Sequence, residues 1–149
     1  MKKRRILPPV YLAASLLTMV ALNFLAPILV IVRAPWNQLG WIPIGMGLAT
    51  ILWAALTFRR HHTTVIPFRI PSHLVTSGVF RLSRNPMYLA MMAILAGAAI
   101  GLGSLSPLVV PPIFFLIIRT RFVQVEEKVL LKNFGETYFN YRASVRRWL

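Results

Sequence analysis

Four apolar blocks, three of them long, at about 9–32, 39–58, 86–103 and 107–119, constrain this 149-residue chain more than any other feature. Each is apolar around its whole circumference, not along one stripe. Soluble cores seldom need runs of about 18 or more such residues, whereas a bilayer does. The composition, 57% hydrophobic, points the same way. The expected fold is all-α: a single polytopic membrane domain with four transmembrane helices. The fourth block is short and carries Pro111 and Pro112. Its helix is expected to run on past the lipid to Phe134, with Gly135 as a left-handed cap. The first block imitates a signal peptide. Its apolar run is too long and no convincing cleavage site follows, so an uncleaved first membrane helix is expected.

Charge sets the expected orientation. The chain has 17 Lys and Arg but three acids, for a net charge of +14. Lys2, Lys3, Arg4 and Arg5 precede the first block. Arg59, Arg60, Arg69, Arg81 and Arg84 fall in the loop 59–85. Arg119, Arg121, Lys128, Lys132, Arg142, Arg146 and Arg147 follow the fourth block. Only Arg33 lies in the opposite loops. The positive-inside rule then places both termini, the loop and the tail 120–149 in the cytosol, and the small size suggests a bacterial inner membrane. Cationic loops beside apolar blocks suit anionic lipid head groups, not nucleic acid. The loop alternates apolar and basic residues and is expected to lie ordered on the membrane surface. There is no cysteine, hence no disulfide or thiol chemistry. His61 and His62 have no further ligand at metal-binding spacing, so no metal site is expected. Gly97 and Gly101 have GxxxG spacing, read as close helix packing.

The acids are not scattered. Glu126 and Glu127 are adjacent and Glu136 follows closely. On a helix, neither Glu126 nor Glu127 has a cation three or four residues away. Each must meet water, an arginine such as Arg84 or Arg142 from elsewhere, or a ligand bearing cations or hydroxyls. In the stretch "SRNPMY", Asn85 suits an N-cap and Pro86 the first helical position. That opens a positively polarised helix start beside Arg84, an arrangement that favours an anion. Tyr88 in the first turn offers a ring face and a hydroxyl. In the tail, Tyr138, Tyr141, Val145 and Trp148 share a helical face flanked by Arg142, Arg146 and Arg147, the pattern of an interfacial amphipathic helix. Carboxylates for a cation, a helix start with Arg84 for an anion and tyrosines for π contacts match the parts of a zwitterionic nucleoside such as S-adenosylmethionine. A lipid head group also pairs an anion with a cation.

The stretch "HLVTSGVFRLSRNPMYLA", followed after one apolar block by "EEKVLLKNFGETYFNYRASVRRW", resembles the integral-membrane methyltransferases, the group of isoprenylcysteine carboxyl methyltransferases, phospholipid methyltransferases and small bacterial relatives. The likeness covers about 63–148. It implies a cytosol-facing S-adenosylmethionine pocket and methylation of a lipophilic acceptor arriving from the bilayer by in-line displacement, catalysed mainly by positioning. Asn85, Pro86, Met87 and Tyr88 match the stretch that wraps the cofactor. Glu126 matches the family's cofactor-binding glutamate, and Glu127 is its neighbour in the motif. Tyr138 and Tyr141 match recurring tyrosines. Arg84 is assigned to the methionine carboxylate and Arg142 to orienting the acceptor. Asn85 stands where many members carry His, Ala90 where Gly is common, and Phe122 where the isoprenylcysteine enzymes carry Arg. Membrane sterol reductases, which use NADPH, resemble the same region; a non-catalytic lipid-binding protein is the other alternative.

Overall fold

The computed structural model describes residues 6–63 and 72–149. The basic cluster at 2–5 and the loop stretch 64–71, with Arg69, lie outside the described residues.

Helix α1, Pro8–Leu25, begins with prolines in its first turn, where a missing N–H costs nothing. It ends earlier than the first apolar block because Pro27 pushes its predecessor out of the helical region. The segment that follows crosses the far end of the molecule in extended form. Ile31 and Val32 N–H donate to the Gly103 carbonyl at 2.7 and 3.0 Å, and Leu105 N–H donates to Leu29 at 2.8 Å. The Ser104 hydroxyl donates to Asn23 Oδ1 at 2.6 Å, and the Ser106 hydroxyl donates to the Ala26 carbonyl.

A 3₁₀ turn, Trp36–Gly40, leads into α2, Trp41–Arg60. Helix α3, Pro86–Leu102, starts on proline and ends on Gly103, whose φ of 74° is the left-handed cap that glycine supplies freely. After the 3₁₀ turn Ser106–Val109 come α4, Val110–Ile118, a π turn, Arg119–Val123, and α5, Gln124–Ser144. These form one helical run, Ser106–Ser144, of 39 residues. Pro111 and Pro112 fall in the first turn of α4, so they do not break it.

Among the described residues, three helical runs are long and apolar enough to cross a membrane: Pro8–Leu25, Trp36–Arg60 and Ser106–Ser144. Helix α3 is apolar but shorter, at 17 residues. It is the most enclosed helix, packed against α1, α2 and α4. Its Met91 and Leu95 join Met19, Phe114, Ile118 and Phe122 in the main core. Large apolar side chains such as Leu17, Phe24 and Trp41 point outward on α1 and α2, the surface that lipid takes.

Glycines set the contact between α2 and α3. A Cβ on Gly97 would lie 2.4 Å from the Gly40 carbonyl oxygen, and one on Gly47 would lie 2.6 Å from that of Ala90. The expected close packing therefore holds at Gly97. It reaches Gly101 from one side only: a Cβ on Gly40 would lie 2.8 Å from Gly101 N, whereas one on Gly101 itself would meet only the Asn37 carbonyl oxygen, at 4.0 Å.

The first helix of α5 ends where expected, at Gly135, whose φ of 49° is positive as expected; its ψ of −120° is not that of a left-handed cap but a kink, after which a second helix runs to Ser144. The tyrosine face of the tail, expected to lie on lipid, meets protein. Tyr138 and Tyr141 are buried against the protein, and at Val145 the backbone turns extended, φ −124° and ψ 131°. Residues 145–149 then fold back onto the start of α3. The described part of the 59–85 loop also packs inward, with Val75, Val79 and Phe80 against Ala54.

Candidate functional site

The π turn explains how the glutamates reach α3. Val110, Phe114, Ile118 and Phe122 are all buried, one every fourth residue. In an ideal α-helix a four-residue step overshoots by about 40°, so Glu126 would sit about 160° from Val110. A π turn takes up about one extra residue and removes about 100° of that drift. Phe122 and Val123 are then both buried, and Glu126 faces the first turn of α3.

Tyr88 meets it there. The Tyr88 hydroxyl donates to Glu126 Oε1 at 2.7 Å. Phe122 backs the tyrosine, with ring centroids 6.4 Å apart, and Tyr11 of α1 meets Phe122 edge-on at 5.6 Å. Glu126 makes no other hydrogen bond among the described residues.

Glu127 belongs to a different arrangement. Arg84 Nη1 lies 2.9 Å from its Oε1. Arg147 grips it with two bonds, Nε to Oε1 at 2.9 Å and Nη2 to Oε2 at 2.7 Å. The Arg84 side chain is 8% exposed and that of Glu127 13%. The hydrogen bonds it donates to the Glu127 carboxylate hold the Arg147 guanidinium above its ordinary pKa. Arg84 Nη1 also donates to the Tyr138 hydroxyl at 3.0 Å, while its Nε–H is buried without a partner among the described residues.

The returning tail completes the arrangement. Arg84 N–H donates to the Arg146 carbonyl at 3.0 Å. Asn85 Nδ2 and the Ser83 hydroxyl donate to the Arg147 carbonyl at 3.0 and 3.2 Å. Trp148 stacks near Phe115, with centroids 5.1 Å apart. Asn85 therefore occupies the N-cap position without capping through its side chain, because its amide is engaged by the tail. Tyr141 donates to the Phe80 carbonyl at 2.6 Å, tying α5 to the loop.

Arg84, Asn85, Tyr88, Glu126, Glu127 and Tyr138 thus gather at one end of α3. Tyr141 lies beside Tyr138, with centroids 6.3 Å apart. Met87 turns the other way and packs on the loop cluster, and Pro86 is buried as the first helical residue. Arg142 is exposed, with no ion pair or hydrogen bond among the described residues. Arg147 and Ser83 were missed by sequence reasoning. Nothing local marks Arg147 among the tail cations, because its partner lies 20 residues away.

The fold and this cluster define a helical membrane protein with a polar site at one end. The family model for phospholipid methyltransferases matches residues 36–137. The chain belongs to that family, which implies methyl transfer to a lipid at a membrane. Comparison with curated proteins found no match, and neither did comparison with solved structures.

The donor set suits S-adenosylmethionine, which such enzymes generally use. Glu126 has one oxygen held by Tyr88, leaving capacity for an ammonium or ribose hydroxyls. The buried Nε–H of Arg84 is an orphan donor suited to a carboxylate. Glu127 does not fit a ligand role in this arrangement, since two arginines occupy it.

Proposed function

We propose that this protein methylates a lipophilic acceptor with S-adenosylmethionine at the cytosolic face of the membrane, with α3 completing four crossings and both termini cytosolic. The observation that carries the reading is the Tyr88–Glu126 hydrogen bond, 2.7 Å long, which joins the start of α3 to the helix beyond the fourth apolar block. The family match supports the reaction class.

Each residue then has a role. Glu126 holds the cofactor's ammonium or ribose, and Tyr88 fixes the carboxylate's orientation. Arg84 offers its free Nε–H to the methionine carboxylate. Glu127 and Tyr138 position Arg84, while Asn85 and Pro86 shape the turn around it and Met87 anchors that turn to the loop. Tyr141 keeps α5 against the loop. Arg142, unpaired and exposed, is the residue available to orient an anionic group of the acceptor. When bound, S-adenosylmethionine supplies the electrophilic methyl; the chain supplies orientation and exclusion of water.

Calorimetry on detergent-purified protein tests the assignment. S-adenosylmethionine and S-adenosylhomocysteine are expected to bind, with Glu126→Ala weakening both by tenfold or more. For Arg84→Ala a loss on the order of 1.5–3 kcal/mol is expected from one charged hydrogen bond. Binding of NADPH with silence from both sulfur nucleosides would transfer the site to a reductase. Binding of none of the three would leave a non-catalytic lipid-binding protein.

A further inference from the structure

A second concavity lies far from the glutamates. Between α1 and α2, over α3, runs a groove of about 270 Å³. Leu16 and Val20 form one wall, Trp41 and Ile44 the other, and Gly97 and Gly101 lie in its floor. Gly101 is thirteen residues beyond Tyr88, or about 20 Å along the helix axis. The groove is therefore separate from the site already described.

Its floor is closed above one glycine and open above the other. Gly97 is forced to be small by the Gly40 backbone, at 2.4 Å from an added Cβ, whereas Gly101 is under no such pressure, at 4.0 Å. The missing side chain at Gly101 leaves space that nothing in the described chain fills.

The mouth is polar and the rest is not. Asn37 and Gln38 line one end. Asn37 Nδ2 makes a long bond of 3.4 Å to the Gly101 carbonyl, and its Oδ1 is buried without a partner among the described residues. Trp36 and Trp41 flank these amides and are 68% and 72% exposed, the placement of tryptophan at a membrane–water boundary. One extended chain with a polar end fits both the size and the polarity gradient.

We propose that this groove binds one hydrocarbon chain of a membrane lipid whose head carries hydrogen-bond donors, with the head beside Asn37 and the chain running over Gly101. The site lies at the end opposite the glutamates and is independent of the methyl-transfer reading.

Photolabelling of the full chain tests it. The protein is reconstituted in phosphatidylcholine vesicles containing a trace of phosphatidylethanolamine with a diazirine in its acyl chain, irradiated and mapped by peptide mass spectrometry. Label is expected to concentrate on residues 16–20 and 97–102. Gly101→Leu, whose Cβ would have only the Asn37 carbonyl oxygen as a neighbour, at 4.0 Å, should lower that labelling several-fold and leave the outward face around Leu52 unchanged. Ala98→Phe is a second filling variant should the first fold poorly. Excess unlabelled phosphatidylethanolamine should compete better than phosphatidylcholine, and Asn37→Leu should erase that preference. Groove peptides labelled no more than the Leu52 peptide would overturn the proposal. So would indifference to both filling variants, equal competition by the two lipids in the unaltered protein, or cross-links between two copies replacing those to lipid.

Discussion

The two ends of α3 are held by opposite means. At its start, side chains do the joining: Arg84 and Arg147 close on Glu127, and Tyr88 reaches Glu126. At its finish, backbone does: Gly97 lets α2 approach to contact, and the Gly103 carbonyl accepts from Ile31 and Val32. The charged end depends on partners that are costly to bury singly, so it is strong only while complete. The glycine end depends on the absence of atoms, so it fails when a side chain is added at Gly97 or Gly103.

Substitutions can break or sharpen this contrast. The largest effect is expected from Glu127→Ala, which strands the buried Arg84 guanidinium; a loss of about 3–5 kcal/mol is expected in unfolding from detergent. Arg147→Ala should cost less, about 1.5–3 kcal/mol, because its side chain is 31% exposed and Arg84 keeps its partner. Equal losses for the two would mean that the tail, not the ion pair, carries the stability. At the other end, Gly97→Ala pushes a Cβ into a carbonyl oxygen and should cost about 1–3 kcal/mol, read from the thermal midpoint. Gly101→Ala, one turn away, is the smallest change and should be neutral or stabilising by about 0.5–1 kcal/mol. If Gly101→Ala proved as damaging as Gly97→Ala, the distinction between the two glycines would be lost.

Much of this was legible in the residues. The apolar blocks located the helices because composition around a whole turn needs no tertiary context. Asn85–Tyr88 and Glu126 could be singled out because proline, a capping residue and unpaired carboxylates are locally unusual. What could not be read was which carboxylate would be satisfied internally. Glu127 finds Arg147 only because the chain reverses after Ser144, and no local pattern announces that reversal. The tyrosine face of α5 looked suited to lipid; protein covers it, and periodicity alone cannot tell one apolar neighbour from another. The π turn was equally hidden, because it is detected through the burial of both Phe122 and Val123.

The kink at Gly135 has a chemical consequence of its own. Its φ of 49° and ψ of −120° mirror an extended conformation that ordinary residues adopt freely, and an added Cβ would meet nothing within 4 Å. The only obstacle to a side chain there is handedness. L-alanine should straighten the kink and draw Tyr138 away from Arg84, whereas D-alanine, introduced by semisynthesis, should be accepted with the bend intact. The separation between the carboxylate-bearing and tyrosine-bearing arms of α5 is thus written in stereochemistry at one achiral position.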